Sequence, residues 1–405
     1  MTNLSAMKKF MTLAAALVMA LGCFAQQALW GGQQIISPEI NADNSVTFRF
    51  VAPKAIKVQV TGDFLPTQHM EFEFGGRKMS FDMPGVADLK EGEGGVWSYT
   101  TEPLASELYN YNFVVDGLSV KDPNNAYIQR DISNLMNYFI IGGGKAENYM
   151  VQDVPHGTVS KIWYPSPNAE TKMRRMSVYT PAGYEKGKTK YPVLYLLHGM
   201  GGDEEAWLCT GRTAQILDNL IAQGKAEPMI VVMTNGCPQH AAAPGESHEG
   251  MFKPYNVSSM GGAFESSFKD VIAFVDSNYR TIKKSSGRAI AGLSMGGFHS
   301  YHISANMPKT FDYVGLFSAA IMPHEGVSSP VYDNMDQKLA VLFGNNPKLY
   351  YIAIGKTDFL FEANVELRGR LDAAGYPYVY IESEGGHIWR NWRDYLVDFA
   401  PRLFK

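Results

Sequence analysis

From about Met173 onward, short apolar runs alternate with amphipathic stretches, and that order leaves few folds open. The apolar runs are Met176–Tyr179, Val193–Leu197, Met229–Met233, Ala289–Gly292, Tyr313–Ser318, Tyr350–Ile354 and Tyr378–Ile381. Each has the length of a strand and is near-continuously apolar, as a strand covered on both sides must be. The stretches Thr213–Gln223, Phe264–Tyr279, Phe298–Asn306, Glu362–Ala374 and Trp389–Phe404 fit helices. The alternation predicts an α/β fold, a mostly parallel sheet with helices on both faces.

The preceding part reads differently. Between about Gln33 and Gly144, Val46–Val51 and Ile56–Val60 alternate apolar and polar residues, the pattern of strands with one wet face. Further short runs lie at Glu71–Phe74, Val96–Thr100, Leu108–Val115 and Met136–Ile141, separated by turn formers such as Gly75-Gly76 and Asp122-Pro123-Asn124-Asn125. This predicts a small all-β sandwich over 33–144. Residues 145–172 read as a proline-bearing connector with one strand at Thr158–Trp163, and 173–405 as the α/β unit. Trp97, Tyr99, Tyr109 and Tyr111 could stack on sugar rings, but aromatic residues on alternating strands more often belong to a core.

A chain of 405 residues, 45% hydrophobic and 19% charged, can build a core in each unit. A net charge of −4 offers no basic excess to phosphates, so nucleic acid is not an expected partner. Lys8-Lys9, the apolar run Met11–Leu21 and the small residues up to Ala25 read as an export signal cleaved after Ala25. Cys23 is a rival site for lipid attachment. The apolar run is too short to span a bilayer, and no later stretch is long and apolar enough. Export permits a Cys209–Cys237 disulfide, and two buried thiols fit the sequence equally. Neither cysteine lies in a metal-ligand spacing.

The chemistry concentrates at Gly292-Leu293-Ser294-Met295-Gly296. A buried strand precedes it and a helix follows. Such a strand-to-helix elbow holds its serine in a strained conformation, with glycines where neighbouring backbone comes close. It also puts Ser294 at a helix N-terminus, which favours developing negative charge. The hydroxyl needs a base, and chains built on this elbow run in the order serine, acid, histidine. Four histidines follow Ser294: His299, His302, His324 and His387. The first two fall on the helix after the elbow, and His324 in a loop. His387 follows the last strand behind Gly385-Gly386, so it is the expected base. Asp358, just past the strand before that one, is the expected orienter of the imidazole. Glu362 and Asp394 are its rivals, and both fall on predicted helices. An N-cap role is the alternative reading of Asp358.

A tetrahedral oxyanion needs fixed donors. The Met295 N–H, directly after the nucleophile, is one. Leu196-Leu197-His198-Gly199-Met200-Gly201-Gly202, after an earlier strand, supplies the second at Met200, with Gly201 the fallback. His198 precedes the nucleophile in the chain and is expected to be structural.

These motifs, with the pair Asp358 and Gly386-His387, resemble the feruloyl and acetylxylan esterases of carbohydrate esterase family one over about Met173 to Lys405. The resemblance implies an esterase-D-like α/β-hydrolase fold. Thr61-Gly62-Asp63-Phe64, Gly95-Val96-Trp97-Ser98 and the stretch from Tyr109 to Asp122 resemble the immunoglobulin-like module of carbohydrate-binding family forty-eight. Together they imply hydrolysis of hydroxycinnamoyl esters on feruloylated arabinoxylan or its oligosaccharides, in the periplasm or outside the cell, with no cofactor and no metal. Acetylxylan and siderophore esters are the alternative substrates, and a carbohydrate-binding protein with an inactive hydrolase unit is the non-enzymatic alternative. On this reading a chain beginning near Gln152 keeps the chemistry.

Overall fold

The computed structural model describes residues 35–74, 77–247 and 260–405. The expected export signal, Cys23 included, lies outside the described residues. Twelve short strands come first among those described: β1 (Glu39–Ile40), β2 (Val46–Val51), β3 (Val58–Gly62), β4 (Gln68–Phe74), β5 (Arg77–Met83), β6 (Gly85–Asp88), β7 (Lys90–Glu91), β8 (Val96–Thr100), β9 (Glu107–Val115), β10 (Leu118–Val120), β11 (Ile128–Asp131) and β12 (Asn134–Ile141). One sheet runs β1-β2-β8-β7, another β11-β12-β9-β3-β6 with β10 on β9, and β4–β5 form a separate hairpin. Val46, Phe48 and Trp97 from the first sheet meet Val58, Val60, Tyr111, Phe113 and Phe139 from the second in one apolar core. Trp97, Tyr109 and Tyr111 are therefore core residues, and their polar atoms bond to Ala52 O, Ala105 O and Asp122 respectively.

The second part is built on β13 (Thr158–Pro165), β14 (Met173–Thr180), β15 (Val193–Leu197), β16 (Ile230–Thr234), β17 (Arg288–Leu293), β18 (Tyr313–Phe317), β19 (Leu349–Gly355) and β20 (Val379–Ser383). Their order is β13-β14-β16-β15-β17-β18-β19-β20. β13 and β14 pair antiparallel at one edge, and every pair from β16 onward is parallel. β13 pairs with β14 from Thr158 to Pro165, so the sheet begins inside the segment read as a connector. The helices are α1 (Ala206–Cys209), α2 (Thr213–Ala222), α3 (Ala263–Asn278), α4 (Met295–Asn306), α5 (Met335–Gly344), α6 (Phe361–Ala373) and α7 (Trp389–Phe399). Successive residues of β17 face opposite cores. Ile290 joins Phe268 of α3, Tyr301 of α4 and Leu367 of α6, whereas Ala289 and Ala291 join Leu217 of α2 and Leu396 of α7. Period-two geometry on a strand covered twice demands this, and it is why the strand reads as unbroken apolar sequence. This is the α/β-hydrolase fold.

The two parts share buried surface. Leu108 of β9, Ala146 and Tyr149 belong to the same core as Trp392 and Leu396 of α7. Glu107, only 1% exposed, meets the equally buried Arg393 of α7 at 3.1 Å and Lys145 at 2.7 Å, and accepts from the Tyr149 hydroxyl. The sandwich is thus packed into the hydrolase part by core residues and a neutralised buried carboxylate, which a loosely tethered module would lack.

Candidate active site

Ser294 sits between β17 and α4 with φ 53° and ψ −115°. For a residue with a Cβ this is strained backbone, and the surroundings hold it in place. Its N–H donates to Phe317 O at 2.9 Å, and its carbonyl accepts from Phe298 N at 3.0 Å and Ala320 N at 3.1 Å. The glycines around it are there for space. A Cβ on Gly292 would lie 2.4 Å from the Gly296 backbone, and one on Gly296 would lie 2.3 Å from Leu197 O. Helix α4 accordingly begins at Met295, earlier than the sequence reading placed it.

His387 and Asp358 are brought together from the loops after β20 and β19. The Nδ1 of His387 lies 3.0 and 2.9 Å from the two carboxylate oxygens of Asp358. Asp358 is 4% exposed. Its Oδ1 also accepts the Leu360 N–H at 2.9 Å, so it serves the start of α6 as well as the imidazole. Two contacts fix the histidine loop: Asn391 donates to Gly386 O at 2.9 Å, and Thr357 N donates to Gly385 O at 3.1 Å. The Phe359 ring packs 4.5 Å from the imidazole and Trp392 meets it edge-on at 4.9 Å. The rivals are elsewhere: Glu362 is exposed on α6, and Asp394 of α7 pairs with Lys145 at 3.0 Å.

Beside the elbow, Gly199-Met200-Gly201-Gly202 makes a tight turn in which Gly202 N donates to Gly199 O at 3.1 Å and Gly201 takes φ 78°. Positive φ at the third position is the geometry of a type II turn. Met200, the expected second donor, occupies its second position. The Met295 N–H belongs to the first turn of α4, where donors point out of the helix end. His198 lies beneath this turn. Its Nδ1 donates to Gly199 O at 2.7 Å and its Nε2 accepts from Gly236 N at 2.7 Å. An imidazolium could not accept that bond, and burial pushes His198 down to about 4. It is a neutral strut. On α4, His299 bonds Glu265 at 2.8 Å, and burial pushes His302 down to about 4. His324 is exposed in the loop after β18.

A family model described as "Putative esterase" matches residues 166–403. The chain is a member of this esterase family. An endo-1,4-beta-xylanase/feruloyl esterase of Xylanibacter ruminicola is 30% identical over 389 residues, covering 91% of this chain and 46% of that protein. The chain therefore spans about half the length of this relative. An acetyl esterase of Caldicellulosiruptor saccharolyticus is 26% identical over 51% of this chain and 80% of its own length. Among solved structures, a ferulic acid esterase of the anaerobic fungus Anaeromyces mucronatus superposes with TM-score 0.53 at 25% identity, covering 64% of this chain and 95% of that one. The enterobactin esterase of Shigella flexneri gives TM-score 0.59 at 16% identity over 88% of this chain and 92% of its own, a likeness of fold.

The structure decides between the two cysteine readings, and two further features of the esterase's site were not read from sequence. Cys209 and Cys237 are thiols, so no disulfide supports the loop after β15. That loop is held by ions instead: Arg175 of β14 binds Glu204 at 2.7 Å and Glu205 at 2.6 Å, while Arg130 of the sandwich binds the buried Asp203 at 2.7 Å. Trp389, next but one to His387, donates to Asp131 of the sandwich at 3.1 Å. Arg130 and Asp131 lie on β11, which carries no clear strand signal. Among the described residues no cluster of His, Cys, Asp and Glu has the makings of a metal site, and no helix is long and apolar enough to cross a membrane.

Proposed function

We propose that this chain is a serine carboxylic-ester hydrolase that releases hydroxycinnamic acids from feruloylated arabinoxylan or its oligosaccharides. The observation that carries the chemistry is the Asp358–His387 pair, set in the two loops that follow the strained Ser294 in chain order. In this reading Nδ1–H of His387 stays on Asp358, which fixes the tautomer and leaves Nε2 to take the Ser294 proton. Oγ attacks the ester carbonyl. The oxyanion is held by the N–H groups of Met295 and Met200. His387 then returns the proton to the leaving alcohol, and water repeats the sequence on the acyl-enzyme.

The acyl assignment rests on two supports. Exposed apolar side chains flank the proposed machinery: Met200 beside the oxyanion turn, Phe359 beside Asp358, and Ile388 beside His387. A flat hydroxycinnamoyl group suits such a rim better than acetyl does. Relatives named as feruloyl or ferulic acid esterases point the same way. Siderophore esters are the second reading, favoured by a fold likeness to the enterobactin esterase that spans both parts of the chain. Export, with cleavage after Ala25, completes the proposal. Free ferulate released from arabinoxylan, measured beside methyl ferulate, an acetylated xylan and a catecholate ester, decides among them. Ser294→Ala should abolish the preferred activity in a chain that still folds, and full turnover by that variant would overturn the reading.

A further inference from the structure

We propose that the β11–β12 hairpin of the sandwich is a wall of the ester-binding site, and that Ile132 at its tip is a specificity-determining residue for bulky apolar esters. The proposal rests on the reading of Ser294 given above.

The tip is built against its own local preference. β11 and β12 are joined by the two-residue turn Ile132–Ser133. Ile132 has φ 56°. Two-residue hairpin turns with positive φ at the first position take glycine, asparagine or aspartate, because a β-branched side chain clashes there. A buried isoleucine could be held by its core contacts, but Ile132 is 41% exposed. Core packing alone therefore does not explain its conformation, and strain of this kind collects at functional sites.

Where the tip points supplies the account. Three successive residues each grip a different part of the proposed site. Arg130 pairs with the buried Asp203 at 2.7 Å, directly after the oxyanion turn, and also donates to Ile132 O at 2.9 Å. Asp131 accepts from Trp389 at 3.1 Å, which ties the hairpin to the start of α7 beside His387. Ile132 itself lies over Gly201, where a Cβ would come within 3.0 Å of its Cγ2. The hairpin so bridges the loop after β15 and the loop after β20. Its tip is exposed, as are Met200 and Ile388, apolar side chains of those same two loops. Arg130 and Asp131 act as positioning residues, while Ile132 presents its surface to the ester.

The test is the ratio of kcat/KM for methyl ferulate to that for p-nitrophenyl acetate in the full chain. Ile132→Gly removes the side chain and relieves the positive φ, so its melting temperature should match or exceed the native one. The ratio should fall roughly tenfold, the scale of lost apolar contact in a binding pocket, and mainly through a higher KM for ferulate. Ile132→Trp, which puts a larger flat side chain at the same place, should also shift the ratio. Turnover that depends on Ser294 but shows a native ratio in both variants would overturn the proposal alone. Turnover that survives Ser294→Ala would overturn the reading of the site, and this proposal with it.

Discussion

Glu107→Gln isolates what the junction between sandwich and hydrolase contributes. The wild-type carboxylate neutralises Arg393, which is 1% exposed, at 3.1 Å, and Lys145 at 2.7 Å. Its Oε1 also accepts from Leu108 N at 2.8 Å and from the Tyr149 hydroxyl. Glutamine keeps the shape and one acceptor but leaves Arg393 as an uncompensated buried cation. Breaking one side of such a pair costs roughly 3–5 kcal/mol. For a chain of this size that lowers the melting temperature by about 5 °C. The sign with pH follows from the same contacts. Burial alone would push the Glu107 carboxyl up, yet Arg393, Lys145 and Tyr149 together hold it below the ordinary glutamate value. Its contribution is therefore complete above the unfolded carboxyl pKa and lost as pH falls through the depressed folded value. Thermal unfolding of the native chain and the variant, at neutral pH and in acid, should show a gap that narrows in acid. The double variant Glu107→Leu with Arg393→Met should recover part of the loss, because neither charge then remains buried. Superimposable melting curves for the native chain and Glu107→Gln would refute the reasoning.

Further expectations concern the site and the struts beneath it. Asp358→Asn should cost about four decades of kcat through the wrong imidazole tautomer, whereas the exposed Glu362→Gln should be near native; the reverse order in steady-state assays would name Glu362 as the acid. His198 and His302 are held from the ordinary histidine value near 6.5 down to about 4, so the unfolded chain binds protons that the folded one refuses. Stability should then be complete above about pH 6.5 and decline toward pH 4, by up to about 3 kcal/mol for each residue, and urea unfolding midpoints that do not move across that window would contradict the neutral-strut assignment. A chain beginning at Gln152 loses Leu108, Ala146 and Tyr149 from the shared core and Arg130 from Asp203. In contrast to the expectation from sequence, it should aggregate or melt well below the full chain and lose turnover on methyl ferulate as well as on polymer; native solubility and native methyl ferulate kinetics would restore the sandwich to the status of an accessory.

The hydrolase sheet was legible because its strands are buried on both faces. Val193–Leu197 was read to the residue, and the other six runs overlap observed strands with ends displaced by a few residues. The order serine, acid, histidine came from which strand each residue follows, and the structure places His387 within hydrogen-bond distance of Asp358. What escaped was short, edge-placed or long-range. Strand β13 has only Tyr164 and the flanking Ser166 fully covered, so its sequence looks like linker. Helix α5 turns just Leu339, Leu342 and Phe343 inward, a single i, i+3, i+4 set too short to stand out as a repeat. β11 was missed because its turn carries isoleucine where a turn signal would be glycine. No local pattern could announce Arg130 on Asp203 or Glu107 on Arg393, pairs that only the folded topology makes neighbours.

The central claim is that Ser294, with its proton taken by His387, carries the acyl group. An aryl fluorophosphonate traps such a nucleophile, and trypsin digestion places Ser294 in the peptide Ala289–Lys309. Tandem mass spectrometry should find a single adduct, on Ser294, in the native chain. Labelling should be absent in Ser294→Ala and strongly slowed in His387→Ala and Asp358→Asn. An adduct on any other residue, or ester turnover by a folded chain that the reagent neither labels nor inhibits, would contradict the account.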